Sequence, residues 1–300
     1  MKVGGMTNPQ RDVLDEIRQV AADGFDFVDL TLEAPKAEPQ QINAVAVRRA
    51  LEGHGLGIVC HAAPYLPVNN PSAAVRRAAL DELLRCLDMA AELGAGLLTT
   101  HYAGYPGFWP EAAGYELYGQ LYQRLCGDGA RRGVKVAMEN QPGNTHQLKA
   151  YREIFARSPD LYLLLDIGHA NINVQRNLAR EYLFALADRL AHVHVSDNDG
   201  AADQHLPLGT PSKRGVSWRK AVADLKSFGY DGTVTIEVFS TDRGYRRDSL
   251  ARWKAWWNGK QHQTSGKFRV VATLCIQLLS SNNYQAGYAM RIVWWAAMLS

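Results

Sequence analysis

The stretch LYLLLDIGHANI (residues 161–172) carries the two features that decide the fold of this 300-residue chain. Its first half is almost wholly apolar, which is typical of a parallel strand that is buried on both faces of a sheet. Its second half turns polar at Asp166 and places His169 three residues further along. The stretch therefore predicts a buried strand with titratable side chains at its C-terminal end.

The same strand-like pattern recurs about every 30 residues along the chain. The eight runs are MKVGGM (1–6), FDFVDLTL (25–32), GIVCHA (57–62), GLLTTHY (96–102), VKVAMEN (134–140), LYLLLDIG (161–168), AHVHVSD (191–197) and TVTIEVF (233–239). Segments with helical spacing separate them, and several end in glycine, a common helix stop. Eight strand-then-helix units in about 250 residues predict an α/β fold of the (β/α)8 TIM barrel type. A doubly wound open sheet is the alternative, but MKVGGMTNPQ lacks the GxGxxG turn that often follows its first strand.

Charge divides the chain into a nearly neutral body and a basic tail. Residues 259–300 contain four basic residues and no acid, so that residues 1–258 hold 29 basic and 30 acidic groups. A body with this balance has no overall attraction for nucleic acid. We predict a barrel domain over residues 1–258 and an atypical C-terminal extension over residues 259–300, with the hypothesis that the extension is foreign to the barrel.

Composition predicts a cytoplasmic protein. Hydrophobic residues make up 47% of the chain and charged residues 21%, which is ordinary for a soluble globular protein. The four cysteines lie far apart with no CxxC pair, as expected of reduced thiols. The N-terminal residues become charged too early for a signal peptide. The chain also lacks a run of about 18 apolar residues, so no membrane span is expected.

Titratable side chains gather at the C-terminal ends of the predicted strands. They are His61, His101, His169, His192, His194, His205, Glu139, Asp166, Asp197, Asp203 and Glu237. In a TIM barrel these strand ends form one mouth, where active sites lie. Converging carboxylates repel one another unless a cation binds them, and imidazole together with carboxylate suits Zn²⁺, Mn²⁺, Fe²⁺ or Co²⁺. The pattern predicts a site for one, two or three metal ions.

Four of these positions carry particular weight. Glu139 and Glu237 each place a charge at the end of an apolar run, where a carboxylate is rarely only structural. His192 and His194 share one strand face because side chains alternate along a strand. We expect one of these two histidines to bind metal and the other to support it.

The order of the strand-end motifs resembles that of a known superfamily. The motifs are CHAAPYL, THYAG, AMENQPG, DIGHAN, HVHVSDNDG, DQHLPLG and TIEVF. Over roughly residues 1–258 they look like the xylose isomerase-like TIM barrels, which include sugar-phosphate isomerases and epimerases and also endonuclease IV. Resemblance to the epimerase branch implies one divalent ion (Mn, Zn, Co or Mg) on four ligands: Glu139, Asp166, His194 and Glu237. It also implies that both glutamates act as acid and base and that His169 contacts the substrate.

Resemblance to endonuclease IV implies instead a cluster of two or three zinc ions. Its nine ligands would be His61, His101, Glu139, Asp166, His169, His194, Asp203, His205 and Glu237. Three features disfavour that branch: the loop EAPKAEPQQ is short and lacks arginine, no long basic loop follows DIGHAN, and the body is nearly neutral.

We therefore expect an enzyme, a metal-dependent isomerase or epimerase of a sugar or sugar phosphate. It would work through a metal-stabilised enediolate with Glu139 and Glu237 as acid and base and His169 as a third catalytic residue. The predicted substrate contacts are His61, His101, Asp197 and Tyr65. An endonuclease IV-like phosphodiesterase acting on abasic DNA is the alternative, and a non-enzymatic scaffold is a third hypothesis. No membrane partner is expected, and nucleic acid is disfavoured as a partner. The sequence leaves the oligomeric state open, and the resemblance to the epimerases is compatible with a homo-oligomer.

Overall fold

The structure, a computed structural model, describes residues 1–143 and 146–260 and contains the predicted barrel. The strands are β1 (Lys2–Met6), β2 (Phe27–Leu32), β3 (Gly57–Ala62), β4 (Leu97–His101), β5 (Lys135–Glu139), β6 (Tyr162–Asp166), β7 (Leu190–Val195) and β8 (Thr233–Ile236). The α-helices are α1 (Val13–Ala22), α2 (Ala44–His54), α3 (Ala73–Glu92), α4 (Glu111–Arg132), α5 (His146–Arg157), α6 (Ala179–Leu186), α7 (Trp218–Ser227) and α8 (Arg243–Trp257). All eight strands pair in parallel in chain order, and β1 closes the barrel on β8.

Burial on both faces explains the apolar strands. Side chains that point outward pack against the helices, as Leu163 and Leu165 of β6 do in the main hydrophobic core. The helices turn their apolar stripes to the sheet, so that Ile17 and Val20 of α1 are fully buried. This layer of apolar contacts fixes the strands and therefore the positions of their ends.

Inward-pointing side chains change from apolar to titratable along the barrel axis. A small apolar layer fills the base and consists of Phe27, Val59, Leu97, Ala137 and Leu164. Two residues further along the same strands come Asp29, His61, Thr99, Glu139 and Asp166. Because side chains alternate along a strand, the second set points into the same interior one layer higher. The barrel thus has an apolar base beneath a polar mouth.

The glycines of β1 have a packing role. A methyl group on Gly4 would lie 2.2 Å from Cε2 of Phe27, which pairs with Gly4 in the neighbouring strand. Glycine at this position leaves space for the Phe27 ring in the base of the barrel.

The predicted extension at residues 259–300 lies outside the described residues except for Gly259 and Lys260. The eighth unit is complete before it, since α8 ends at Trp257. Within residues 1–143 and 146–260, the structure has no helix with the length and apolar character needed to span a membrane.

Candidate metal centre

Four side chains converge at the mouth end of the barrel interior. Glu139, Asp166 and His194 lie in β5, β6 and β7, and Glu237 is the first residue after β8. Each can offer one ligand atom such that all four atoms lie within 4.8 Å of one another. We call this set the four-residue cluster. The structure thus brings together the four residues that the resemblance to the epimerase branch implied as metal ligands.

The geometry of the four-residue cluster fits a divalent cation. Nδ1 of His194 lies 2.9 Å from Oε1 of Glu237 and 3.4 Å from Oε1 of Glu139. Ligand atoms about 2.1 Å from a shared ion are spaced about 3 Å apart or slightly more, which matches these distances. Nδ1 of His194, Oε1 of Glu139 and Oδ2 of Asp166 are also buried without a well-directed hydrogen bond. A cation would satisfy all three atoms together.

Electrostatics within the cluster supports the same interpretation. Burial raises the pKa of Asp166 to about 7, and the neighbouring carboxylates Glu237 and Glu139 add to the rise, although His169 opposes it. Burial would by itself lower the pKa of His194, but Glu237 and Glu139 outweigh it and raise that pKa. Carboxylates held this close require positive charge, which protons supply when no metal ion does.

A second group lies beside the cluster at the ends of β3 and β4. Nε2 of His61 and Nε2 of His101 are 2.9 Å apart, and the latter lies 2.9 Å from Oε2 of Glu139. Burial lowers the pKa of His61 to about 4, and the charge of His101 adds to this shift. A neutral imidazole can accept a hydrogen bond or bind a metal ion, so His61 is placed for either role.

A third group occupies the opposite side of the mouth. Oδ2 of Asp203 lies 3.1 Å from Nε2 of His169 and 3.1 Å from Nε2 of His205. Burial would by itself lower the pKa of His205, but Asp203 raises it to about 9. His205 has a φ of 46°, an unusual backbone conformation for a residue with a side chain. Asp203 thus contacts one histidine of its own loop and one from the segment after β6.

Comparisons with known proteins agree with this fold. Residues 17–256 match the model of one protein family, the xylose isomerase-like TIM barrels. The chain belongs to that family. It is 28% identical over 194 residues to fructoselysine 3-epimerase of Escherichia coli O157:H7, covering 60% of this chain and 68% of that protein. Among solved structures it resembles a D-tagatose 3-epimerase-like protein, with 22% identity, a TM-score of 0.74, and 86% and 97% of the two chains covered. It also resembles 3-keto-D-glucoside 4-epimerase of E. coli, with 20% identity, a TM-score of 0.69, and coverages of 85% and 99%.

Two predicted substrate contacts lie apart from the cluster in this member of the xylose isomerase-like family. Asp197 is 1% exposed, and its carboxylate accepts hydrogen bonds from the backbone N–H groups of Gly209 and Val216 and from Nε1 of Trp218. These bonds engage both of its oxygens in shaping the loop between β7 and α7. Tyr65 is 57% exposed in the loop after β3. That either residue contacts a substrate stays a prediction.

His192, the alternate candidate to His194, lies one layer deeper. Its Nδ1 is 2.7 Å from Oγ1 of Thr233, and its Nε2 is 2.9 Å from Oγ1 of Thr235. Both nitrogens are therefore engaged, whereas Nδ1 of His194 faces the carboxylates. Of the two histidines, His194 is thus the one that faces the carboxylates, and its role as a metal ligand stays a prediction.

Three buried polar residues at or near the mouth were not predicted from the sequence: Asn140, Asp29 and Glu33. Asn140 bridges β5 and β6, because its amide donates to the carbonyl of Asp166 and accepts from the backbone N–H of the same residue. Asp29 is fully buried beneath the cluster in β2. Glu33, just beyond β2, is 5% exposed, and burial raises its pKa to about 7 although the Tyr65 side chain hydrogen-bonds to it. Both acids interrupt or follow an apolar run, the signal that identified Glu237.

Proposed function

We propose that the protein is a divalent-metal-dependent epimerase or isomerase of a ketose sugar. The observation that carries the proposal is the approach of Glu139 and Glu237 to the same buried nitrogen, Nδ1 of His194, from different strands. Two carboxylates held close to one position by different parts of the barrel suit a reaction in which one base removes a proton from a carbon and a second acid returns one. The prediction of an isomerase or epimerase is further supported by the fructoselysine 3-epimerase relative.

The residues of the cluster divide the chemistry between them. Glu139, Asp166, His194 and Glu237 would hold the ion. When bound, the divalent ion supplies Lewis-acid stabilisation of negative charge that develops on the substrate oxygens. One glutamate would take the proton from the carbon next to the carbonyl, and the other would return a proton to the opposite face of that carbon. The restricted mouth keeps both carboxylates positioned for these transfers.

His169 is placed to contact the substrate from the side of β6. Its Nδ1 lies 2.8 Å from the carbonyl oxygen of Asn140, and its Nε2 lies 3.1 Å from Oδ2 of Asp203. Burial would lower the pKa of His169, but Asp166 and Asp203 outweigh it and raise that pKa. Both N–H groups of a protonated His169 would be engaged by these acceptors, so donation to a substrate hydroxyl or carbonyl would require Nε2 to exchange Asp203 for the substrate.

The test is exchange of a carbon-bound proton with solvent. The Mn²⁺- or Co²⁺-loaded protein is incubated with a panel of ketoses, including fructoselysine and D-tagatose, in deuterated water, and deuterium at the carbon next to the carbonyl is followed by NMR. Glu237→Gln is expected to lower the exchange rate by at least about 100-fold, because it removes one of the two carboxylate bases. The matched control is Glu52→Gln, at an exposed site on α2. Full activity of Glu237→Gln would remove that residue from the reaction.

A second candidate function rests on the two histidine groups beside the cluster. In each group three potential ligand atoms lie within 4.8 Å of one another. The first group consists of His61, His101 and Glu139, and the second of His169, Asp203 and His205. With the four-residue cluster they complete the nine positions of an endonuclease IV-like site for two or three zinc ions. Such a site would favour hydrolysis of a phosphodiester.

Metal stoichiometry separates the two candidates. One equivalent of bound metal per chain supports the sugar enzyme, and nearly three equivalents with incision of an abasic DNA duplex supports the phosphodiesterase. We favour the sugar enzyme because residues 1–258 have no excess of basic residues for a DNA backbone. Absence of incision with Zn²⁺, Mn²⁺ and Co²⁺ would count against the nuclease.

A further inference from the structure

Asp29 lies directly beneath the four-residue cluster, inside the barrel. It points inward from the middle of β2 and is fully buried. Its Oδ2 lies 3.1 Å from Nε2 of His194 and accepts a hydrogen bond of 2.8 Å from Oγ1 of Thr235. No lysine or arginine forms an ion pair with Asp29 in the described part of the chain. Its charge is therefore directed at imidazole and hydroxyl groups alone.

The hydrogen bonds around Asp29 have one consistent direction. Because the Thr235 hydroxyl donates to Asp29, it must accept from Nε2 of His192, which lies 2.9 Å away. Nδ1 of His192 then accepts from the hydroxyl of Thr233 at 2.7 Å. Nε2 of His194 donates to Asp29, since a carboxylate can only accept. The chain of donors ends at Asp29 and leaves Nδ1 of His194 facing Glu139 and Glu237.

We propose that Asp29 is the positioning residue of the metal centre: it holds the proton of His194 on Nε2 and thereby presents Nδ1 to the ion. Histidine ligands commonly donate their second ring N–H to a carboxylate, which fixes the tautomer and the ring orientation and makes the ligand more basic. His194 is the only imidazole of the four-residue cluster. Its ring orientation therefore decides whether all four residues can bind the same ion. The inference rests on the metal centre of the proposed function and not on the identity of the sugar.

The same geometry allows one competing arrangement. Asp29, His61 and His194 also offer ligand atoms within 4.8 Å of one another, so an ion could in principle bind Asp29 directly. Oδ1 of Asp29 lies 3.9 Å from Nδ1 of His61. In that arrangement His194 would bind the ion through Nε2, which faces Asp29. The nitrogen that His194 uses therefore distinguishes a positioning role from a ligand role.

The first experiment uses the wild-type chain. Protein with ¹⁵N-labelled histidine is loaded with ¹¹³Cd²⁺, and the scalar coupling between cadmium and the His194 nitrogens is measured by NMR, with the resonance assigned by its loss in His194→Gln. We expect coupling to Nδ1 and a protonated Nε2. Coupling to Nε2 would overturn the inference, and this measurement does not depend on any Asp29 variant folding.

The second experiment measures affinity. Asp29→Asn retains the size of the side chain but removes its charge, and we expect the Kd for Mn²⁺ and Co²⁺ to rise about 10- to 100-fold. The control is Asp26→Asn, three residues earlier, where the carboxylate accepts a hydrogen bond from the backbone of Val3 far from the cluster. Its Kd should stay within about twofold of the wild-type value.

The outcomes separate this inference from the proposed function. A wild-type chain that binds none of these ions overturns both the metal centre and the role of Asp29. Tight binding by the wild-type chain with an unchanged Kd in Asp29→Asn overturns the positioning role alone and leaves the epimerase proposal standing.

Discussion

Replacing Glu33 with glutamine is expected to stabilise the folded protein at alkaline pH and to have much less effect at acidic pH. Glu33 is buried just beyond β2, with Oε2 lacking a hydrogen-bonding partner in the described part of the chain. Burial raises its pKa from 4.5 to about 7, although a hydrogen bond with Tyr65 opposes the shift. Because the folded state holds the proton more tightly than the unfolded state, the wild-type chain loses stability as pH rises between these values.

The magnitude follows from the two pKa values. A shift from 4.5 to about 7 corresponds to about 3 kcal/mol of destabilisation, which is fully present above about pH 8. At about pH 5 Glu33 is protonated in the folded state but already about three-quarters ionised in the unfolded state, which leaves about 1 kcal/mol of destabilisation. Glutamine resembles the neutral acid in size and cannot ionise. The difference in free energy of unfolding between variant and wild type should therefore grow by about 2 to 3 kcal/mol from pH 5 to pH 8.

The assay is urea unfolding of the metal-free wild-type and Glu33→Gln proteins across this pH range, followed by tryptophan fluorescence. Comparing the two proteins at each pH cancels every other group that titrates equally in both. Glu52→Gln, at an exposed site on α2, provides the control and should show no such divergence. Stability curves of wild type and Glu33→Gln that run parallel from pH 5 to pH 8 would refute the argument that burial keeps Glu33 protonated.

Four further predictions concern the barrel and its mouth. Mn²⁺ or Co²⁺ at about 100 times its Kd should raise the free energy of unfolding by about 2.7 kcal/mol, seen as a higher Tm that a chelator reverses and that Glu139→Gln lacks. Asp197→Ala should cost about 3 kcal/mol in urea unfolding, since it leaves several buried donors of one loop unpaired, and a loss below about 1 kcal/mol would contradict this. Gly4→Ala should cost about 1 to 3 kcal/mol by the same measurement, because its methyl group would meet the Phe27 ring, and an unchanged Tm would show that the ring can move aside. A chain that ends at Gly259 should remain folded with the Tm of the full chain, and its aggregation would show that residues 260–300 support the barrel.

Much of the candidate site could be predicted because parallel strands bring their C-terminal ends to one mouth. Glu139, Asp166 and His194 each end or nearly end an apolar run, so recognising the barrel was sufficient to place them together. The placement of Glu237 follows from the same rule. Neither prediction required knowledge of any distance between side chains.

The sequence could not show how individual atoms are engaged. Asp197 and Asp203 both follow β7 at the mouth, yet the first is occupied by loop backbone donors and the second by two histidines. The difference arises from the path of the loop between β7 and α7, which depends on packing contacts distant in sequence. From the sequence alone, Asp197 and Asp203 are both acids that follow the same strand, and nothing distinguishes their partners.

The sequence by itself determined the eight-fold alternation of strands and helices and the end of the barrel at which titratable residues gather, because both follow from local hydrophobic periodicity. Only the tertiary structure decided that Asp29 lies within hydrogen-bonding distance of His194, since the two residues are 165 positions apart and meet only when the sheet closes. The same closure selected Nδ1 of His194 as the nitrogen that faces the carboxylates. Periodicity fixes the face of a strand on which a side chain lies, whereas ring orientation depends on hydrogen bonds from other strands.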